Sequence, residues 1–157
     1  MATSPESRLE ELGINLPATP APAGAYVPAT RAGNLVFTAG QLPLEAGELN
    51  IRGKVGDTVS VGEAREAARL CAMNALAAAS TQTGGVDGIT RIVKVTGLVA
   101  SAPGFNGQPQ VINGASEFLG EIFGDTGLHA RSAVGVAELP MDAPVEVELV
   151  VETAPDA

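Results

Sequence analysis

The C-terminal run Val145-Glu146-Val147-Glu148-Leu149-Val150-Val151-Glu152 constrains the fold more than any other segment. Its period of two puts Val145, Val147, Leu149 and Val151 on one face of a strand and Glu146, Glu148 and Glu152 on the other. A chain that closes this way needs a sheet with one covered face. The other face must meet water or another subunit.

The material available to cover that sheet is small. Ala, Gly and Val dominate, with four phenylalanines, one tyrosine and no tryptophan, so packed elements must approach closely. A length of 157 residues suits one domain with a real core. The net charge of −9 and the lack of a Lys/Arg-rich run argue against a phosphate-backbone binder, and there is no aromatic platform for bases. The single Cys71 cannot form an internal disulfide, which fits a reducing compartment. No signal-peptide order and no uninterrupted apolar run of spanning length is visible. The expectation is a cytoplasmic protein with no nucleic-acid or membrane partner.

Residues 1–25 read as a short helix, N-capped by Ser4 with Pro5 in its first turn, then a Pro/Ala-rich connector from Leu16 to Gly24. The main domain then spans 26–157. Strands are expected over Tyr26–Arg31 and Leu35–Ala39, with a short extra one over Ile51–Val55. Ser60-Val-Gly-Glu63 matches a capping box. The helix it opens runs to about Thr83, before Gly84-Gly85, and its face of Ala64, Ala68, Cys71, Ala75 and Ala78 suits close contact with a sheet. Arg91–Ala100 reads as a central strand and Gln108–Phe123 as a second helix. The last two strands are expected over Arg131–Ala137 and Val145–Val151. In the first of these, Ser132, Val134 and Val136 share one face, and Arg131, Ala133, Gly135 and Ala137 the other. The bulky face is expected against the helices and the small or charged face against a symmetry mate. The order ββ(β)αβαββ describes an α+β fold: one mixed sheet with two helices on one face.

Arg131 is the foremost candidate for chemistry. A guanidinium fork on a small-residue strand either clamps a ligand carboxylate or makes a surface or subunit ion pair. Glu146 is either a solvated strand acid or, if part-buried, a group that holds or activates water. In a simple hairpin the two would not meet, so they come together only if their strands are not neighbours or belong to different chains. His129, the only histidine, either lines the pocket beside Arg131 and tunes its pH response or is a satisfied loop residue. It cannot build a multi-His metal site. Cys71 reads as buried and inert, and Tyr26 as either a structural or rim residue or a binding one. Asn74 and Asn113 are expected to bond helix to sheet. The glycine turns at Gly40-Gln41 and Gly84-Gly85 match no phosphate-loop pattern.

Four blocks of the chain resemble the RidA (YjgF-like) enamine/imine deaminases, also labelled endoribonuclease L-PSP proteins. They are Tyr26 in Gly-Ala-Tyr-Val, Leu35-Val-Phe-Thr-Ala-Gly40-Gln41-Leu-Pro43, the helix start through Asn74, and His129-Ala-Arg131-Ser to Leu139-Pro140 with Val145-Glu146-Val147-Glu148. The resemblance implies a chorismate-mutase-like fold, a homotrimer whose sheets form a central barrel, and clefts at the subunit interfaces. It implies hydrolysis of 2-imino acids to 2-oxo acids and ammonia without a cofactor or metal. By position, Arg131 matches the carboxylate-binding arginine and Glu146 the water-orienting acid. Tyr26, Gly40 and Asn113 match pocket positions, and backbone groups near Ala133 would contact the imine end. The chain departs from the pattern where His129 replaces a proline, Ala133 a Cys or Thr, and Ser116 an aromatic residue. Residues 101–108 and the N-terminal extension also differ.

The implied reading is thus a trimeric hydrolase acting on a carboxylate-bearing imine. The alternative is a non-catalytic trimer that binds a small carboxylate or a partner protein. A ribonuclease is disfavoured by the acidic balance.

Overall fold

The structure, a computed structural model, describes residues 3–19 and 24–156. Residues 20–23 of the expected Pro/Ala connector therefore lie outside the described residues. Helix α1 (Pro5–Glu11) is followed by β1 (Ala29–Ala32), β2 (Leu35–Thr38) and a small hairpin of β3 (Leu44–Glu45) and β4 (Glu48–Leu49). Then come α2 (Val61–Ser80), β5 (Ile89–Ala100), α3 (Gln108–Phe123), β6 (Ala130–Val136) and β7 (Val145–Thr153). The five long-range strands form one mixed sheet in the order β1-β2-β7-β5-β6. Only β5 and β6 pair in parallel; the other neighbours are antiparallel. The expected α+β architecture, with α2 and α3 on one face, is present.

Local chemistry fixes the elements. The Ser60 hydroxyl accepts from Glu63 N, and the Glu63 carboxylate accepts from Ser60 N, both at 3.1 Å. This closes the capping box of α2. The helix stops at Ser80 rather than Thr83. The Ser80 and Thr81 hydroxyls turn back onto the carbonyls of Leu76 and Ala78 at 2.7 Å, and residues 81–84 continue as turns. β1 starts at Ala29, not Tyr26, because Pro28 has no N–H to extend the ladder; its carbonyl instead accepts from Ala39 N. The extra strand expected over Ile51–Val55 is absent from the described residues. Val55 makes only isolated bridges, to Val59 and Ser101.

The small-residue core works by close approach. Along α2, Ala64, Ala68, Cys71, Ala72, Ala75, Ala78 and Ala79 are fully buried. Gly114 of α3 packs directly on the Arg65 carbonyl of α2, where any Cβ would collide. The Ile112 side chain sits over Gly97 of β5 in the same way, so the glycine that interrupts this strand is where α3 seats. Arg65–Glu117 (2.7 Å) and Arg69–Glu121 (3.1 Å) bridge the outer edges of the two helices. At such exposed positions each contributes about 0–1 kcal/mol. Helix α1 docks through Leu9, which is buried, and through Arg8 Nε donating to the Glu121 carbonyl at 3.0 Å. Among the described residues, no helix is long and apolar enough to cross a membrane.

One expectation about the sheet is reversed. The inner face of β7 is as read: Val145, Val147, Leu149 and Val151 are buried. On β6, however, Arg131, Ala133 and Gly135 stand in register with Val95, Gly97 and Val99, the helix-facing residues of β5. The small residues therefore lie beneath α3, and the bulky ones face outward, with Val134 47% exposed. Close packing of α3 on the sheet leaves no room under it for a row of branched side chains. The open face instead carries Val134, Leu98 and Glu146 in one row, with Thr96 and Glu148 in another.

Candidate functional site

Two clusters of candidate residues form, one on each side of the sheet. The first lies at the free edge, where β6 meets α3. Asn113 and Ser116 are one helical turn apart on α3 and so share a face. Arg131 Nη1 donates to Asn113 Oδ1 at 2.8 Å and to Ser116 Oγ at 3.3 Å. Both hydrogens of that nitrogen are thereby used. The other edge of the fork, Nε–H with Nη2–H, makes no hydrogen bond among the described residues. That edge has the geometry for two parallel bonds to a carboxylate. Asn113 thus bonds helix to sheet as expected.

His129 adjoins this cluster. Its Nδ1 lies 2.6 Å from the Gly127 carbonyl and its Nε2 lies 2.9 Å from Ser116 Oγ. The histidine is a satisfied residue and at the same time a neighbour of the arginine's own partner. Ala133 is one pleat further along β6 and partly buried. As an edge strand, β6 uses only one side of its backbone for β5, and the other side keeps peptide groups for a ligand or a neighbouring chain.

The second cluster is on the open face. Thr38 Oγ1 accepts from Leu149 N at 3.0 Å, and Gln41 exchanges two backbone bonds with Val147, at 2.8 and 3.0 Å. Between these anchors the chain passes beneath Glu146. A Cβ at Gly40 would lie 2.5 Å from Glu146 Oε1 and 2.7 Å from its Cδ, so glycine is what lets the carboxylate occupy this place. Burial raises the Glu146 carboxyl above the usual carboxylate range, and the neighbouring Glu148 charge raises it further. Cys71 lies fully buried on the other side of β7, its Sγ 3.6 Å from the Val145 carbonyl. Burial holds its thiol well above the ordinary value, with Glu146 adding to the effect. It is a packing residue. Asn74 is also structural: its Nδ2 donates to the Leu42 and Leu44 carbonyls at 3.0 Å and ties down the segment after Gly40.

The remaining candidate is remote from both. Tyr26, 52% exposed, precedes β1 at the opposite edge of the sheet from β6. Four inter-strand gaps separate those edges, roughly 19 Å. A single protomer therefore brings Arg131, Asn113, Ala133 and His129 together, and separately Gly40 with Glu146, but it does not unite the two sets or bring in Tyr26. Ser116 was visible in the sequence only as a departure from a family pattern. Its place one turn after Asn113 on α3 was the available signal for a shared partner.

A mixed sheet with paired helices on one face is the YjgF/chorismate-mutase-like fold. The chain belongs to this YjgF/RidA family: residues 6–153 match the family described as "YjgF/chorismate mutase-like, putative endoribonuclease". It is 41% identical over 147 residues to Protein TCP17 of Trypanosoma cruzi, covering 93% of this chain and 92% of that one. It is 32% identical over 138 residues to a 2-iminobutanoate/2-iminopropanoate deaminase of Dermatophagoides farinae, covering 88% and 93%. Among solved structures, the protein Atu1372 of unknown function from Agrobacterium tumefaciens superposes with a TM-score of 0.88 at 45% identity, covering 96% and 92%. E. coli TdcF with bound serine gives 0.63 at 27% identity, covering 87% and 94%.

Proposed function

We propose that the protein hydrolyses 2-imino acids to 2-oxo acids and ammonia, in clefts between the subunits of a homotrimer. The observation that carries this reading is the state of Arg131. One guanidinium nitrogen is anchored by Asn113 and Ser116, and the opposite edge of the fork is left for an acid group. The deaminase name of the 32%-identical mite protein and the serine held by TdcF, itself a small carboxylate, point the same way.

The chemistry asks little of the protein. An imine carbon is already electrophilic, so orientation and a placed water suffice and no cofactor or metal takes part. Arg131 binds the substrate carboxylate. The free backbone groups of β6 near Ala133 hold the imine end. Glu146 of a neighbouring protomer takes a proton from water as its oxygen bonds to the imine carbon. That proton passes to the nitrogen and completes the carbinolamine. Glu146 then takes the hydroxyl proton and delivers it to the amine, so that the carbonyl forms as the C–N bond breaks and ammonia leaves with the 2-oxo acid behind. A raised carboxyl suits this exchange, since its carboxylate takes a proton from water more readily than one at an ordinary value would. Asn113 orients Arg131, Gly40 makes room for Glu146, and His129 and Tyr26 line the cleft from the two subunits.

An amino-acid oxidase that generates imines in situ provides the test. Added protein is expected to accelerate 2-oxo acid formation, and Arg131→Ala to abolish the acceleration. Binding of 2-oxobutyrate without acceleration would replace the hydrolase with a carboxylate-binding trimer. Cleavage of RNA that persists in Arg131→Ala would assign nuclease activity to another site or to a contaminant.

A further inference from the structure

We propose that Ser116 and His129 form a directional hydrogen-bond chain that positions Arg131, fixing which edge of its guanidinium meets a ligand. The proposal rests on the reading of Arg131 as a carboxylate clamp and names the device that aims it.

The polarity of the chain follows from its fixed end. The Gly127 carbonyl can only accept, so His129 Nδ1, at 2.6 Å, carries a hydrogen. In the neutral ring Nε2 is then a lone pair, and Ser116 Oγ, at 2.9 Å, donates to it. With its hydrogen committed to His129, the Ser116 oxygen offers only lone pairs to Arg131 Nη1, at 3.3 Å. The order is Arg131 to Ser116 to His129 to Gly127, every donor meeting an acceptor.

Two features hold the chain in place. Gly127 is pressed against α3: a Cβ there would lie 2.7 Å from the Leu119 carbonyl, so the turn that presents its carbonyl cannot drift. A helical serine would otherwise bond back to the carbonyl one turn earlier; His129 draws the Ser116 hydroxyl toward Arg131 instead. Asn113 alone would hold one hydrogen of Nη1 and leave the fork free to pivot about it. A second acceptor on the same nitrogen sets its plane. Preorganised in this way, the arginine loses less freedom when a carboxylate binds.

Ser116 and His129 touch each other directly. They act as one unit, so neither is expected to work without the other.

Three readouts on the full-length protein test this. Nitrogen-15 NMR of the neutral His129 ring is expected to show hydrogen on Nδ1. Hydrogen on Nε2 would overturn the chain's direction. Rotation of the Arg131 guanidinium, measured without ligand, is expected to quicken severalfold in Ser116→Ala and in His129→Phe and to stay slow in Ser116→Thr. Affinity for 2-oxobutyrate is expected to fall about three- to tenfold in either loss variant. It should fall no further in the double variant. Unaltered rotation, or losses that add in the double variant, would overturn the proposal. If rotation responds as expected but Arg131→Ala leaves 2-oxobutyrate binding intact, the clamp reading fails and the positioning chain stands.

Discussion

Arg131 and Glu146 lie on opposite faces of one sheet. Arg131 is level with Leu149 on the helix side, and Glu146 is level with Val134 on the open side, with β5 between their strands. Two strand spacings and three residues along the sheet put their backbones roughly 14 Å apart. A reaction that uses both side chains must take one from each of two chains. The proposed cleft shared between subunits rests on this separation as well as on family likeness.

The position of Glu146 predicts a stability effect with a definite sign. Burial and Glu148 raise its carboxyl in the folded protein. The native state therefore holds that proton more tightly than the unfolded chain does. The stability tied to it is fully present below the unfolded-state value and is lost as pH rises through the folded one. Glu146→Gln is expected to raise the melting temperature at pH 8, and the gain should shrink toward pH 4. A gain independent of pH, or largest in acid, would show that the charge is not the cause.

Gly40 tests the same carboxylate sterically. In Gly40→Ala the new methyl occupies the place of the Glu146 carboxylate, and the flexible acid swings aside rather than the backbone. Stability should change by no more than about 1 kcal/mol, while kcat/KM for imine hydrolysis drops about ten- to hundredfold. Combined with Glu146→Gln, the substitution should cost nothing more. Additive losses would separate Gly40 from Glu146.

The N-terminal helix is proposed to be a stabilising addition outside the catalytic domain. Leu9 is 4% exposed and joins the main core, so Leu9→Ala should cost about 2 kcal/mol in urea unfolding. Deletion of residues 1–15 should lower stability at least as much and leave the specific activity of the folded protein intact. Loss of oligomer on deletion would make the helix part of the assembly.

Much of this was legible in the residues because it rests on local chemistry. The capping hydroxyl of Ser60 and the apolar stripe of Val111, Ile112, Ala115, Phe118 and Leu119 determine α2 and α3 within a few residues. The alternation from Val145 onward sets the faces of β7. The facing of β6 was not legible. Val134 and Val136 look like core residues, yet the inner side of that strand belongs to α3, whose approach is set by Gly97 and Ile112 in other elements. The β3–β4 hairpin was missed because four short residues carry no periodicity. The contact between Ser116 and His129 joins a helix to the start of a strand, and no local pattern announces it.

Subunit mixing tests the shared cleft most directly. Arg131→Ala and Glu146→Gln, each expected to be strongly impaired alone, are unfolded together and refolded as a 1:1 mixture. If each cleft draws its arginine from one protomer and its acid from the next, random assembly leaves about a quarter of the clefts intact, and imine hydrolysis should return to about that fraction of the parental rate. A mixture no more active than the two variants assayed apart would contradict a site completed across the subunit boundary.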